Sequence, residues 1–125
     1  MNNGNHTILL TGDIEKFAEK KILNNMFSYL PSEILIVPHH GSKTSNVPRF
    51  ISAVHPQFVF YATGYRNRYH FPHQKVREAY QQIQAKEFNT ADLGTLEVKI
   101  RKNNLTQIKA YRLVHKRYWM DNTVV

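Results

Sequence analysis

Three short apolar runs, each followed by a segment with helical spacing of apolar residues, constrain the fold of this chain most strongly. The runs lie at residues 7–11, 33–38 and 57–61. Residues 34–37 of the second run are continuously apolar rather than alternating, which favours a parallel strand that is covered on both faces. Strands that alternate with helices in this way predict an α/β fold with parallel strands joined by crossover helices.

The first helical segment is predicted to open at Asp13. Its apolar positions, predicted to face inward, are Ile14, Phe17, Ala18, Ile22 and Met26, and its predicted outer face carries Glu15, Lys16, Glu19 and Lys20. A short helix from Pro48 follows the second run, with Phe50, Ile51 and Val54 on its inner side. A helix over residues 73–86 follows the third run, with Val76, Tyr80 and Ile83 predicted to face inward.

A short strand at residues 88–91 and a hairpin formed by residues 93–101 and 104–112, with its turn at Asn103-Asn104, complete the predicted order. The tail after Arg112 receives no assignment. We therefore expect residues 1–125 to form a single α/β domain with a mixed sheet and about three helices.

Composition excludes several classes of protein. The chain has 125 residues, of which 42% are hydrophobic and none is cysteine, and its mean hydropathy is −0.50. Its longest nearly apolar run is about six residues, well below the roughly 20 residues that span a bilayer. Without cysteine there is no disulfide framework and no thiolate ligand, so any metal would be held by histidines and carboxylates.

Basic residues are concentrated in the second half of the chain. Residues 1–62 carry five Lys/Arg and four Asp/Glu, residues 63–125 carry twelve and five, and the whole chain has a net charge of +8. A basic half suits a polyanion such as nucleic acid or an anionic membrane surface. A soluble surface rich in basic residues, with no polyanionic partner, is the alternative.

Polar side chains follow the three predicted strands, at the edge where an open α/β sheet binds its ligands. Asp13 follows the first strand, His39 and His40 the second, and Arg66 and Arg68 the third. Each group also has a purely structural interpretation: a helix N-cap, loop histidines bonded to the backbone, and solvated charges. Their convergence favours a metal ion bound to a phosphate, with His and Asp holding the metal and Arg the oxyanions.

The same three segments resemble a known family. They read Ile8-Leu-Leu-Thr-Gly-Asp-Ile-Glu15, Ile36-Val-Pro-His-His-Gly-Ser-Lys-Thr-Ser45, and Gly64-Tyr-Arg-Asn-Arg-Tyr69 followed by Pro72-His73. In order and spacing they resemble the C-terminal metallo-β-lactamase-fold domain of ComEC, the DNA-internalisation channel protein of natural competence, over residues 5–119. The resemblance implies part of an αββα sandwich that acts as a metal-dependent phosphodiesterase (DNase) in a parent protein associated with the inner membrane.

The resemblance also implies roles for individual residues. Asp13 and His40 would be ligands of a divalent metal, Zn or Mn, in the complete domain. His39 would lie beside the substrate phosphate, and Ser42 would support it from the same loop, so these two are the predicted catalytic residues. The predicted DNA-binding residues are Lys43, Thr44, Arg66, Asn67, Arg68, Tyr69 and His73.

Two departures from the family pattern limit what the chain is expected to do alone. The family takes most of its metal ligands from a His-x-His-x-Asp-His loop, which this sequence lacks, and His70-Phe71 stands where many members have Gly-His. We therefore expect the C-terminal half of a sandwich, inactive alone, with an absent or partial metal. It is expected to form a homodimer or to associate with the missing N-terminal half. The alternative is a non-catalytic DNA-binding module that uses the basic C-terminal half.

Overall fold

A computed structural model describes residues 1–103 and 106–114 of the chain. Its strands are β1 (Ile8–Leu10), β2 (Ile34–Ile36), β3 (Phe58–Tyr61), β4 (Lys86–Asn89), β5 (Leu96–Lys99) and β6 (Gln107–Ala110). Its α-helices are α1 (Lys16–Asn25), α2 (Pro48–Val54), α3 (Gln74–Gln82), α4 (Thr90–Leu93) and α5 (Tyr111–Val114). Short 3₁₀ turns cover Phe27–Tyr29 and Pro38–Gly41.

The first four strands form one parallel sheet in the order β1-β2-β3-β4. Leu35 of the central strand β2 pairs with Leu9 on one side and Val59 on the other. A helix connects each strand to the next, as parallel pairing requires. The predicted α/β class is thus confirmed, and three of the five α-helices in the described residues have seven residues or more.

Helices α1, α2 and α3 cover one face of the sheet. Their apolar side chains, including Leu23, Phe50 and Tyr80, share one buried cluster with Leu35 and Val59 of the strands. Phe50, Val59 and Tyr80 are fully buried. The inward positions predicted for the second and third helices are therefore confirmed at Phe50 and Tyr80.

The antiparallel pair β5–β6 and helix α4 cover the other face. Ile34, Phe60 and Phe88 of the sheet form a second cluster with Leu93 of α4, and Val98 of the hairpin packs against it. Phe60 and Phe88 meet edge to face, with ring centroids 5.2 Å apart, an arrangement that aromatic pairs prefer. The hairpin is a separate two-stranded sheet that packs on the parallel one. Of its predicted turn, Asn104 lies outside the described residues.

Helix α1 differs from its prediction in both start and orientation. It begins at Lys16 rather than Asp13, with Glu15 at the N-cap position. Glu19, predicted to face outward, is fully buried, whereas Phe17, predicted to face inward, is 81% exposed. The cause is polar: the Glu19 carboxylate accepts the backbone N–H groups of Asn46 and Val47, which would otherwise be buried without a partner.

The region after β3 differs by a few residues from its prediction. The fourth strand covers Lys86–Asn89 rather than residues 88–91, because Asn89 ends it and caps α4. The Asn89 side chain accepts the N–H of Ala91 at 2.9 Å, which satisfies a donor at the helix start.

In the part of the chain that the structure describes, no helix has the length and apolar composition needed to cross a membrane.

Candidate functional site

Backbone hydrogen bonds join the three loops at the carboxyl ends of β1, β2 and β3. The N–H of His39 donates to the carbonyl of Gly12 at 2.9 Å, which connects the first loop to the second. The N–H of His73 donates to the carbonyl of Gly41, also at 2.9 Å, which connects the third to the second. The three loops therefore meet at one edge of the sheet, as the sequence predicts.

The His-His-Gly segment of the second loop has a left-handed backbone. The φ angles are 49° at His39, 57° at His40 and 88° at Gly41. For residues with a Cβ this conformation costs about 1–2 kcal/mol each, and it persists only where surrounding contacts impose it. This backbone strain lies at the two adjacent histidines that the sequence predicts to be functional.

His40 bridges the first and third loops. Its Nδ1 lies 2.6 Å from the carbonyl oxygen of Ala62, which can only accept, so Nδ1 carries the proton and donates. Its Nε2 lies 3.3 Å from Oδ1 of Asp13. In the neutral ring this Nε2 has a lone pair free for a metal, and in the protonated ring it donates to the carboxylate.

Asp13 is available for such chemistry because it does not cap a helix. Its side chain is 72% exposed, and helix α1 begins three positions further along the chain. The N-cap interpretation of Asp13 is therefore wrong. Its carboxylate reaches across from β1 to the loop after β2 instead.

His39 lies in a second polar group beside this pair. Its Nδ1 is 3.4 Å from Oε1 of Glu15 and 3.4 Å from the Thr44 hydroxyl. The Thr44 hydroxyl is in turn 3.0 Å from that of Ser42, which is buried and also accepts the Thr44 N–H. Sequence reasoning did not assign Glu15 to the site, although it lies only two positions after Asp13 in the same motif.

The third loop places aromatic and basic side chains beside the histidines. Asn67 fixes this loop, because its side chain accepts the N–H of Phe71 at 2.8 Å and donates to the carbonyl of the same residue at 2.9 Å. The Phe71 ring stacks on the rings of both His40 and Tyr69, at centroid distances of 6.3 Å and 5.4 Å. The Arg68 guanidinium lies 4.8 Å from the centre of the Tyr69 ring.

A cavity of about 580 Å³ lies between these loops. Of the predicted site residues, those that line it are His39, His40, Ser42, Thr44, Asn67 and Tyr69. Those outside its lining are Asp13, Lys43, Arg66, Arg68 and His73. His73 has a structural contact, because its Nδ1 accepts the N–H of Lys75 at the start of α3.

The donors of this site do not complete a metal centre. Among residues 1–103 and 106–114, no group of three or more His, Asp or Glu side chains is placed so that it could hold a metal ion. A zinc site in a protein needs three or four such ligands. The pair formed by Asp13 and His40 offers two donors that lie 3.3 Å from each other, which is fewer than such a site needs.

Two titratable groups are buried behind the second loop. Burial raises the pKa of the Glu19 carboxyl, against the N–H groups of Val47 and Asn46 and the charge of Lys16, which lower it. Burial, and then the charge of Glu19, raises the pKa of the Tyr80 phenol above its ordinary value. Tyr80 therefore stays protonated, and its hydroxyl donates to Oδ1 of Asn46 at 2.6 Å.

Comparison with known proteins finds relatives over most of the chain. It is 35% identical over 111 residues to ComE operon protein 3 of Bacillus subtilis, a match that covers 89% of the chain. It is 32% identical over 117 residues, 93% of the chain, to competence protein ComA of Neisseria gonorrhoeae. It is 33% identical over 98 residues, 78% of the chain, to recombination protein 2 of Haemophilus influenzae.

The chain corresponds to a small part of each relative. The matches cover 14% of the Bacillus protein, 16% of the Neisseria protein and 12% of the Haemophilus protein. No protein-family model matches the chain, and no solved structure matches it significantly. The three relatives belong to the same family that the three motifs resemble. The chain therefore belongs to the ComEC family of competence proteins and corresponds to a part of their length.

Proposed function

We propose that this chain supplies one side of a metal-dependent phosphodiesterase site that acts on DNA in a ComEC-like competence protein. The observation that carries the proposal is the pair formed by Asp13 and His40, whose carboxylate and Nε2 approach to 3.3 Å across two neighbouring parallel strands. The name of the Neisseria relative, a competence protein, supports DNA as the substrate.

The division of roles in this proposal follows from the contacts. The Nδ1 proton of His40, donated to the carbonyl of Ala62, directs Nε2 toward Asp13, and a divalent metal held with further ligands would supply activated water. His39, beside Glu15, faces the cavity where a phosphate would lie. Because the described residues offer only a partial metal site, the chain is expected to be inactive by itself.

The proposal is tested in a chimera. The chain replaces its 117 matching residues in the Neisseria competence protein, and degradation of labelled DNA with Mn²⁺ is compared with that of the isolated chain. We expect the chimera to cleave DNA and the isolated chain not to. Asp13→Asn and His40→Gln should each reduce cleavage by about 100-fold or more, since a bound metal contributes several kcal/mol to such a reaction.

His55→Asn is the matched control for these variants. His55 follows α2, at the end of the sheet opposite the site, and has a φ of 44°, which asparagine also adopts. It should leave cleavage unchanged. A chimera that cleaves DNA equally well with Asp13 or His40 replaced would show that the metal assignment is wrong.

A second function, DNA binding without catalysis, is favoured by the charge distribution. Residues 63–125 carry twelve basic and five acidic side chains. In the third loop, the Arg66 guanidinium lies over the Tyr65 ring and the Arg68 guanidinium lies over the Tyr69 ring. Guanidinium groups next to exposed aromatic rings suit phosphates and unpaired bases. This function needs no metal, so binding without cleavage in the chimera would favour it.

We also propose that the chain associates with another protein surface, such as a second copy of itself, through the exposed edge of the sheet. The hairpin covers much of the second sheet face, but Leu10 on the edge strand β1 is 58% exposed. An exposed apolar side chain on an edge strand is a place where another chain can add. Light scattering on the purified chain would show a mass of twice 14.7 kDa for a homodimer, and a monomer at high concentration would contradict it.

A further inference from the structure

We propose that Glu19, Asn46 and Tyr80 form a buried network that positions the two site histidines. The proposal concerns positioning only, since none of the three side chains lines the cavity. It rests on the proposed function solely in taking His39 and His40 as functional groups.

Asn46 bridges the two ends of the strained segment. Its side-chain amide donates to the carbonyls of Pro38 and Ser42, both at 3.2 Å. These two residues lie directly before and after the His-His-Gly segment, and Asn46 itself is buried, at 6% exposure. One amide therefore fixes the separation between the ends of the segment whose backbone is left-handed.

Glu19 connects this asparagine to the first loop. It lies on α1, which begins shortly after Asp13, and its carboxylate accepts the N–H groups of Asn46 and Val47. Its exposure is 0%. A buried carboxylate with two backbone donors holds the loop strongly, because charge-assisted hydrogen bonds are shorter and stronger than neutral ones.

Tyr80 connects the same asparagine to the helix that follows the third loop. Its hydroxyl donates to Oδ1 of Asn46 at 2.6 Å, and its ring is fully buried. Asn46 thus has both amide protons and its oxygen engaged, which leaves it one orientation. The network consequently couples α1, the second loop and α3, the elements that adjoin the three site loops.

The competing explanation is that Asn46 only supplies a left-handed residue. Its φ is 67°, and asparagine adopts this conformation more readily than most residues with a side chain. Glycine adopts it as easily but has no amide. Asn46→Gly therefore separates the two explanations, because it keeps the backbone conformation and removes the three side-chain hydrogen bonds.

The test is a ¹H–¹³C spectrum of the histidine rings in the full chain, recorded for Asn46→Gly and Tyr80→Phe without metal or DNA. We expect the ring signals of His39 and His40 to shift or broaden in both variants, while those of His55 stay in place. Tyr61→Phe is the matched control, since its fully buried ring loses a hydroxyl that bonds to Glu87 at 2.7 Å instead of to the loop. It should leave the His39 and His40 signals unchanged.

Several results would overturn the network. Unchanged His39 and His40 signals in the folded variants would show that the loop holds its own conformation. Equal shifts of all seven histidines, equal shifts in Tyr61→Phe, or failure of both variants to fold would assign the three residues to general stability. Because neither DNA nor metal enters this measurement, an inactive chimera would contradict the proposed function and leave the network standing.

Discussion

At Gly41 the second and third loops are in close contact. A Cβ built on it would lie 2.5 Å from Cβ of Pro72 and 2.9 Å from its Cα, and the φ of 88° is a conformation that favours glycine. Gly41→Ala is therefore expected to lower the free energy of unfolding by about 2–3 kcal/mol through strain and overlap. Urea unfolding followed by circular dichroism measures this change.

Gly64→Ala is the matched control in the neighbouring loop. A Cβ on Gly64 would meet nothing within 4 Å, so its effect should stay within about 0.5 kcal/mol. If both alanine variants are equally stable, the close contact between Gly41 and Pro72 does not exist in solution.

Glu19 makes the stability of the chain depend on pH in a direction opposite to that of most carboxylates. Burial raises its pKa in the folded chain above the ordinary value of 4.5, so the folded state binds its proton more tightly than the unfolded state does. The contribution of Glu19 to stability is then complete below about pH 4.5 and falls as pH rises through the raised pKa.

The variant Glu19→Gln isolates this contribution because its side chain does not titrate. It should be less stable than the natural chain at every pH, since glutamine presents an N–H₂ group to one of the two backbone donors. Urea unfolding at several pH values between 4 and 8 measures the free energy of unfolding of both chains. The difference between them should narrow as pH rises. A difference that widens would mean that the hydrogen bonds to Asn46 and Val47 outweigh burial.

At the scale of elements, apolar runs were sufficient to predict the strands, and polar requirements explain the errors. The run at residues 34–37 contains the central strand Ile34–Ile36, whose first two residues are buried, as the composition of the run indicates. The orientation of α1 could not be predicted, because Glu19 is buried as the acceptor for backbone N–H groups of a loop 27 positions away in sequence. The fourth strand ends earlier than predicted because Asn89 caps α4.

Packing of the hairpin on the second face of the sheet is expected to stabilise the fold, and a substitution in that face tests this. Phe88 on β4 is 7% exposed and contacts Phe60 in the cluster that the hairpin covers. Because the hairpin packs over this ring, Phe88→Ala should leave a cavity and lower the free energy of unfolding by about 3–5 kcal/mol. Phe17→Ala, which removes a ring that is 81% exposed on α1, should change stability by less than about 0.5 kcal/mol. Equal effects in thermal or urea unfolding would mean that the hairpin does not cover Phe88.

For the whole molecule, the sequence predicted that the three loops meet at one edge of the sheet, but it did not predict the contacts of each residue there. The order of strands brought Asp13, His39 and His40 to one edge, because carboxyl ends of parallel strands share an edge. The roles of Asn67 and His73 in fixing backbone could not be foreseen, since they depend on hydrogen bonds within the third loop and at the start of α3.

The net charge of +8 leads to a prediction about DNA binding by the chain as a whole. Affinity for single-stranded DNA, measured by fluorescence anisotropy, should fall steeply with salt, because counterions are released as phosphates are neutralised. Replacing both Arg66 and Arg68 by Glu should lower affinity about tenfold or more and reduce the salt slope by about 2. The control replaces Lys20 and Lys21 of α1 by Glu, which changes the net charge equally at exposed positions outside the cavity lining. If both pairs weaken binding to the same extent, DNA responds to total charge and the third loop is not its contact surface.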